Sequence, residues 1–351
     1  MSVSLSDFLI QITSNPALFI TVLLTLVVIL VNGWTNAPNA IATCVLTRTL
    51  SPKKAIVMAA VFNFLGVLVM TMVNKAVAET IYNMVDLRGG SLDALVALCA
   101  ALFAVAIWVT ASSYFGIQTS ESYALIAGIF GAVIALQGGL SGINGNGCVK
   151  VLYGLFISTV IGLSLGYVTT KLIELLCKRA DRRKADLVFK NGQILGGAAM
   201  AFMHGAQDGQ KFMGVFLLGV FLANGQSEVT SFVIPIWLTI LCSFVMALGT
   251  FIGGYRIRKS IGVGMVKLDR YQGFAADVAA ISCLLVSSFG GIPVSTTLTK
   301  TTSIMGVEAS KRLSAVNWRN EKKMVIACVL TFLGCGLVSF LMAHLFMKVY
   351  L

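Results

Sequence analysis

Long apolar stretches separated by short polar stretches dominate the chain from residue 17 to residue 347. Because a helix needs about 20 mostly apolar residues to cross a bilayer, these stretches predict membrane-embedded helices. We assign ten segments, in chain order 17–44, 55–74, 94–114, 117–137, 150–176, 191–222, 232–254, 272–289, 292–307 and 324–347.

Composition agrees with this pattern. The chain has 351 residues, of which 57% are hydrophobic and 11% are charged, and its mean hydropathy is +0.90. Soluble domains usually carry about 25% charged residues. The sequence therefore predicts an all-α polytopic membrane protein of the plasma membrane, with no soluble part longer than a loop.

Positive charge is concentrated in four loops, although the net charge of +12 would by itself also suit a nucleic-acid-binding protein. Most of the 26 lysines and arginines lie at residues 48–54, 177–190, 255–270 and 308–323, and the alternate loops and the tails hold few. This is the positive-inside pattern. It predicts that the four loops are cytoplasmic and that both termini are outside, and it argues against a nucleic-acid partner.

The basic loop 177–190 divides the chain into residues 1–176 and 191–351, with five segments each. Since five is odd, the second half enters the membrane in the opposite sense, which predicts two inverted-topology repeats. Hydroxyl-rich runs at the heads of segments four and nine, residues 116–122 and 291–297, echo each other. Matched broken segments are typical of transporter binding sites, but the sequence leaves open whether these two segments span the membrane or re-enter.

Segments one and six each carry a polar run, at residues 32–39 and 204–211. The apolar run before the first of them, residues 18–31, is too short to cross the roughly 30 Å hydrocarbon core as a helix. We therefore expect both helices to be broken at membrane depth, with the breaks facing protein or a water-filled cavity. The predicted architecture has broken or hairpin helices that meet at a central site.

The two hydroxyl runs have the chemistry of an oxyanion site. Hydroxyls donate hydrogen bonds, and the start of a helix adds free N–H groups and a positive dipole end. The alternative is that these hydroxyls only satisfy carbonyls of neighbouring helices, but two matched runs favour a function. The candidate anion ligands in these runs are Thr119, Ser120, Ser122, Ser295, Thr296 and Thr297.

Ionisable side chains inside apolar segments are costly and usually functional. Asp208 lies among glycines and amides and suits a coupling cation or a substrate proton; Glu121 suits the same roles unless it pairs with a buried base. Lys211, three residues after Asp208, either forms an internal ion pair with it or balances the anion charge. Lys300 is expected to neutralise the anion or Glu121, and Asp277 is either a functional acid or a residue close to the cytoplasmic edge.

Carboxylates beside an anion site discriminate between anions. Hydrogen phosphate carries an O–H that a carboxylate accepts, whereas sulfate at neutral pH has none, so the acids favour phosphate. They would also bind the Na⁺ or H⁺ that drives uptake. The eight cysteines and two histidines show no metal-ligand or redox spacing, so we expect no cofactor, and no metal apart from Na⁺ near Asp208.

The polar runs resemble the signatures of the inorganic phosphate transporter (PiT) family. Residues 32–43 match NG-x-x-D-x-x-NA, residues 204–211 match HGANDGQK and residues 291–297 match G-[LI]-PVSTTH. The resemblance covers essentially the whole chain and implies two inverted repeats, hairpin-like helices at a central site, and symport of phosphate with Na⁺ or H⁺. By motif position it implies the ligands Asn39, Thr119, Ser120, Ser122, Asp208, Ser295, Thr296 and Thr297.

The chain departs from these signatures in places. Asn36 replaces the usual aspartate, which removes one negative charge from coupling-ion binding, and Gln207 replaces asparagine. Gln118 replaces proline, and Tyr123 and Leu298 replace the histidine that follows each hydroxyl run. We still expect Gln207 to contact the anion and Asn36 to line the cavity of the coupling ion.

Together these features predict a secondary transporter that imports inorganic phosphate with a cation by alternating access. The alternatives are a sulfate permease of the same fold and a passive anion channel, for which rings of basic residues would be expected. Nothing in the sequence supports an enzyme. The expected partners are phosphate, the coupling cation and the bilayer, and the sequence leaves open whether the protein forms a homodimer.

Overall fold

The structure is a computed structural model that describes residues 4–85, 91–117, 119–225, 233–253, 268–316 and 318–350. Within these ranges it describes all side chains except those of residues 37, 38, 91, 315 and 319–321. Gln118 and most of the predicted basic loop 255–270 lie outside the described residues. The regular structure of the described residues is helical, apart from one isolated bridge between Val85 and Ile143.

The described helices follow the predicted segments closely. In chain order they are α1 Leu5–Ser14, α2 Pro16–Leu46, α3 Pro52–Val73, α4 Ala76–Tyr82, α5 Ser91–Tyr114, α6 Glu121–Gln137, α7 Gly145–Leu176, α8 Arg182–Ala223, α9 Ile236–Gly253, α10 Arg270–Phe289, α11 Thr296–Lys311 and α12 Trp318–Tyr350. Each predicted segment coincides with one helix. The short helices α1 and α4 were not predicted, because 10 and 7 residues are too few to give a membrane-length apolar run.

Capping residues set where the long helices begin. The side chain of Asn15 accepts from the first backbone N–H groups of α2, and Pro16 occupies its first turn. Asp181 caps α8 in the same way. As a result α8 starts inside the predicted linker 177–190, and only the residues before Arg182 form a turn.

Among the described helices, seven are long and apolar enough to cross a membrane: α2, α3, α5, α7, α9, α10 and α12. The 42-residue α8 is long enough, but polar residues interrupt its apolar sequence. The two helices that follow the hydroxyl runs are shorter, with 17 residues in α6 and 16 in α11. At 1.5 Å per residue they reach only about 25 Å, less than the hydrocarbon core.

The short helices α6 and α11 start at the same depth. Ser120, the residue before α6, and Ser295, the residue before α11, lie with their hydroxyl oxygens 2.8 Å apart. The two helices therefore begin at a common point, and their direction from that point decides whether they span the membrane.

The ends of α6 and α11 lie on opposite sides of the molecule. The loop after α6 lies beside α4, where the Asn144 N–H donates to the Met84 carbonyl at 3.1 Å. The end of α11 lies beside the start of α10, where Lys311 is 3.6 Å from Asp269. The 32-residue α7 connects the first side to the second. Both α5–α6 and α10–α11 are therefore re-entrant hairpins that enter from opposite sides and meet in the middle, which answers the question left open by the sequence.

The re-entrant hairpins preserve the predicted sidedness. Because each hairpin returns to the side from which it started, the ends of α2, α7, α9 and α11 all fall on one side, and the four basic stretches of the sequence follow these ends. The turns 115–120 and 290–295 carry no basic residue, as expected for turns that stay within the membrane.

Helix packing reveals the inverted repeat. Helix α6 packs against α12, and its second-half equivalent α11 packs against α7; likewise α3 packs against α8, and α9 packs against α2. When each helix is replaced by its equivalent in the other half, the α6–α12 pair becomes the α11–α7 pair, and the α3–α8 pair becomes the α9–α2 pair. The halves are thus interleaved through the fold, and the boundaries proposed for them in the sequence remain a prediction.

Two glycines mark equivalent close contacts in this arrangement. Gly131 of α6 lies against the carbonyl of Gly336 in α12, and Gly306 of α11 lies against the carbonyl of Leu163 in α7. A side chain at either position would collide with backbone. The two glycines are separated by 175 residues, the same interval as Ser120 and Ser295.

The expected breaks at residues 32–39 and 204–211 are wrong, because α2 and α8 continue through both runs. A continuous helix satisfies its own backbone hydrogen bonds, so only the polar side chains need partners in the membrane. Gly33 and Gly205 serve a different purpose: each lies against the backbone of a crossing helix, α9 and α3 respectively.

Candidate substrate site between the hairpin tips

The site is built around two hairpin tips, which we define as residues 119–122 (first tip) and 294–297 (second tip). Ser120 and Ser295 are the N-caps of α6 and α11, and their hydroxyls accept from the Tyr123 and Leu298 N–H groups at 3.5 and 3.3 Å. The positive ends of two helices therefore point at one buried place. Such ends are natural anion-binding positions.

Each tip contacts the long polar helix of the opposite half. In the first tip, Ser122 accepts a hydrogen bond from Lys211 of α8 at 2.8 Å. In the second tip, the equivalent Thr297 accepts from Asn39 of α2 at 3.3 Å and donates to Asn36 at 3.2 Å. These matched contacts bring the predicted polar run of each long helix to the tips.

Asp208 is the hub of the charged part of the site and is buried. Its carboxylate pairs with Lys211 at 2.6 Å and accepts from Thr296 at 3.1 Å and from Asn32 at 3.3 Å. The Nε2 atom of His204 lies 3.3 Å away. Lys211 also donates to the backbone of the second tip, so this one ion pair touches both hairpins.

Glu121 is the second buried acid, at the first helical position of α6. It accepts a hydrogen bond from the hydroxyl of Thr35 in α2. Asp208 and Glu121 thus approach the tips from different helices. Their negative charges lie close to the hydroxyls that the sequence assigns to an anion, an arrangement that suits a ligand with its own proton or an accompanying cation.

The repeat makes the charge asymmetry of the site visible. Lys211 and Asn39 contact equivalent tip hydroxyls, so they occupy equivalent positions, and so do Asp208 and Asn36 three residues earlier. One half of the site carries an acid and a base where the other half carries two neutral amides. Glu121, the single charged residue of the two tips, corresponds to the neutral Thr296.

Three buried amide oxygens along α2 and α8 have no hydrogen-bond partner among the described residues: those of Asn32, Gln207 and Gln210. The orientation of each amide is fixed because its NH₂ group faces an acceptor. These acceptors are the Asp208 carboxylate, a hydroxyl and a carbonyl at the α10–α11 turn, and the Asn74 carbonyl. Unpartnered buried oxygens are costly, and they are the ligand type that alkali cations take.

A second layer of polar side chains supports this centre. The Nδ1 atom of His204 lies 3.0 Å from the side-chain oxygen of Asn63 in α3, and the Asn63 amide donates to Thr250 of α9 at 2.8 Å. This chain fixes the ring that faces Asp208, and it ties α3, α8 and α9 together.

Most predicted site residues come together, and Lys300 does not join them. Thr119 is half-buried at the start of the first tip, and Gln207 donates to Ser288 at 2.8 Å. Lys300 does not face Glu121 as expected; it forms an ion pair with Asp277. Asp277, in α10, is fully buried, and it also accepts a hydrogen bond from Thr43 of α2.

Three side chains of the site are not among the residues predicted from the sequence: Asn32, Thr35 and His204. All three lie in the polar runs 32–39 and 204–211. Helical spacing would have revealed them, because positions 32, 35 and 39 of a continuous helix share one face. Tyr123 and Leu298, by contrast, pack into an apolar cluster with Met324 and Cys328 behind the tips.

No group of three or more His, Cys, Asp or Glu side chains among the described residues could hold a metal ion in the usual way. The fold and site instead define a class: multi-pass membrane proteins with inverted repeats whose interrupted helices meet at a midplane site, the architecture of secondary transporters.

Comparison with known proteins narrows this class to a family. The family model described as the phosphate transporter family matches residues 32–187 and 177–339. The chain belongs to this phosphate transporter family, which confirms the family resemblance of its motifs and the prediction of a multi-pass membrane protein.

Individual relatives agree. A protein of Bacillus subtilis named probable low-affinity inorganic phosphate transporter is 36% identical over 301 residues, covering 86% of this chain and 88% of the relative. A Rhizobium meliloti protein of the same name is 35% identical, covering 88% and 90%. Both relatives are named as transporters.

A solved structure titled "The sodium-dependent phosphate transporter" superposes with a TM-score of 0.87 and covers 96% of this chain and 100% of its own. At 21% sequence identity this match bears on the fold, and it confirms the all-helical architecture.

Proposed function

We propose that the protein imports inorganic phosphate across the plasma membrane by symport with a cation, through alternating access. The observation that supports this best is the meeting of two helix N-termini at Ser120 and Ser295, with two buried acids beside them. Hydroxyls and free N–H groups would hold the phosphate oxygens, and the interleaved halves would rock around the tips.

The acids favour phosphate over sulfate. Hydrogen phosphate can donate its O–H to the Glu121 or Asp208 carboxylate, whereas sulfate would meet only repulsion there. The nearby Lys211 offsets part of the negative charge through its 2.6 Å contact with Asp208. This combination of donors and acceptors fits a protonated tetrahedral oxyanion.

The unpartnered amide oxygens favour Na⁺ as the cation. Asn32 and Gln207 offer oxygens that accept no hydrogen bond from the described residues, and Asp208, which Asn32 contacts at 3.3 Å, supplies a formal charge. A proton would satisfy the carboxylate and leave these oxygens bare. With Asn36 neutral, only one of the two equivalent positions on α2 and α8 holds an acid, so we expect fewer cations per phosphate than with acids at both.

Uptake into proteoliposomes tests this function. Purified full-length protein should accumulate labelled phosphate above equilibrium under an inward Na⁺ gradient, and unlabelled sulfate in excess should not compete. Accumulation under a pH gradient alone would identify H⁺ as the cation. Equilibration without accumulation under either gradient would indicate a channel, and sulfate uptake that phosphate does not inhibit would refute the substrate assignment.

A further inference from the structure

A buried ion pair lies one layer beyond the tips, toward the side of the basic loops. Lys300 of α11 pairs with Asp277 of α10, and both are buried. Thr43 of α2 donates to the Asp277 carboxylate at 3.0 Å and lies 3.4 Å from the Lys300 ammonium. We call these three residues the inner cluster.

The inner cluster continues the polar contact between α2 and α11. Thr43 follows Asn39 by one turn of α2, and Lys300 follows Thr297 by about one turn of α11. Asn39 and Thr297 contact each other at the site itself. The inner cluster is therefore the next layer after the substrate site, in the direction of the cytoplasm.

The path continues to the end of α2. Beyond the inner cluster, Thr47 and Thr49 lie 2.9 and 3.2 Å from the side-chain oxygen of Gln193. The other polar atom of that amide, Nε2, is buried and has no hydrogen-bond partner among the described residues. Polar groups thus lead from the tips to the basic loop 48–54, and one buried donor along this path is unused.

The equivalent path toward the outside is apolar. Asn39 and Lys211 are equivalent, and the same spacing makes Val215 the counterpart of Thr43. The interval of 175 residues that relates Ser120 to Ser295 makes Leu102 the counterpart of Asp277 and Leu125 the counterpart of Lys300. These three counterparts are almost completely buried and belong to one hydrophobic cluster. The same architecture can therefore be packed without any charge at this layer.

This comparison argues against a purely structural role for the ion pair. Replacing a buried ion pair with well-packed apolar residues is often neutral or stabilising, because the desolvation of two charges offsets their attraction. The fold shows such an apolar solution in its other half. Ionisable residues kept at membrane depth usually mark a substrate or ion path.

We propose that Lys300 is a second oxyanion-binding residue, used by phosphate between the central tips and the cytoplasm. This proposal rests on the proposed phosphate transport. Phosphate leaving the tips would displace the Asp277 carboxylate from the Lys300 ammonium. The Thr43 hydroxyl and the Gln193 amide would be further hydrogen-bond donors to it. Between passages Asp277 holds the ammonium, which keeps the layer closed in the present structure.

The test compares phosphate affinity from the two sides of the membrane. Vesicles of each orientation carry either the wild-type chain or the double variant Lys300→Leu/Asp277→Leu, which copies Leu125 and Leu102. We expect the double variant to raise the half-saturating phosphate on the cytoplasmic side at least tenfold and to change the external value by less than twofold. Lys300→Arg, which keeps the charge, should stay within about threefold of wild type on both sides.

Ser339→Ala is the matched control, because it removes a buried hydrogen bond to Gly128 far from the inner cluster. It should change neither value. The role of Lys300 would be overturned if the double variant kept the wild-type half-saturating phosphate on both sides of the membrane, or if both values rose equally. A wild-type chain that carries no phosphate would instead overturn the proposed function, and this proposal with it.

A labelling experiment on the wild-type chain covers the case in which the double variant does not fold. Cys44 is buried next to Thr43 and donates to the Gln193 carbonyl at 3.1 Å. A small anionic thiol reagent on the cytoplasmic side should modify Cys44, and phosphate should slow this at least threefold. The equally buried Cys242 in α9 should stay unmodified. Failure of phosphate to protect Cys44 would refute the proposal.

Discussion

At the scale of single residues, the site is symmetric in shape and asymmetric in charge. Equivalent tip hydroxyls contact Lys211 on one side and Asn39 on the other, and Asp208 on α8 is the counterpart of the neutral Asn36 on α2. The residue types were readable from the sequence. Their pairing was not, because it depends on two helices from different halves meeting at one depth.

Asp208→Asn should strongly reduce gradient-driven phosphate accumulation. The substitution keeps the shape but removes the charge that pairs with Lys211. An interaction with a charged group contributes about 1.5–3 kcal/mol, so its loss should weaken the affinity for the cation by roughly tenfold or more. The measurement is uptake into proteoliposomes as a function of Na⁺. Asp7→Asn, an exposed acid in α1, is the control, and unchanged accumulation in Asp208→Asn would refute the assigned role.

Ser120→Ala and Ser295→Ala should each weaken phosphate binding from both sides of the membrane. Each removes one hydroxyl at the point where the two helices meet, and a hydrogen bond to a charged ligand contributes about 1.5–3 kcal/mol, or roughly 10- to 100-fold in half-saturating phosphate. Initial rates against phosphate concentration measure the effect. Ser282→Ala, an exposed hydroxyl of α10, should leave the value unchanged. A wild-type value for both tip variants would contradict the site.

At the scale of elements, the main difference from expectation concerns where helices are interrupted. The sequence placed breaks inside α2 and α8, yet these helices are continuous and the interruptions precede α6 and α11. Polar residues in an apolar segment look the same in sequence whether the backbone breaks there or merely presents a polar face. The contacts with neighbouring helices decide between the two.

Gly131→Ala and Gly306→Ala should both destabilise the hairpins. In each variant the new methyl group meets a backbone carbonyl of α12 or α7 that cannot move aside, and such overpacking costs about 1–3 kcal/mol. The expected result is a lower Tm for thermal unfolding in detergent. Gly139→Ala is the control, because nothing lies within 4 Å of its added carbon. Equal Tm values for all three variants would contradict the packing of the hairpins.

At the scale of the whole molecule, the two halves interleave, so neither half encloses the site alone. Each hairpin packs against the last helix of the other half and contacts its first long helix. The hydropathy pattern predicted ten segments and an inverted repeat, and the charge pattern oriented them. Neither pattern reveals the interleaving. Both record the order of apolar and basic stretches along the chain, and that order is the same whichever of two equivalent helices packs against a given neighbour.

The sidedness of the molecule can be tested with its own cysteines. Cys148 and Cys177 are half-buried near the two ends of α7, so they should lie on opposite sides of the membrane. A membrane-impermeant thiol reagent should modify Cys148 in intact cells and Cys177 only in inverted vesicles, as mapped by peptide mass spectrometry. Modification of Cys177 in intact cells would show that the protein has the opposite orientation in the membrane.

The sequence by itself determined the membrane class and the residue types of the site, and it predicted the inverted repeat and the sidedness, because apolar length, basic loops and matched hydroxyl runs are local properties of the chain. Only the tertiary structure decided which side chains meet. The contact between Ser120 and Ser295, the hub at Asp208 and the pairing of Lys300 with Asp277 join residues far apart in the chain. Such contacts follow from helix packing, which the local pattern of residues does not specify.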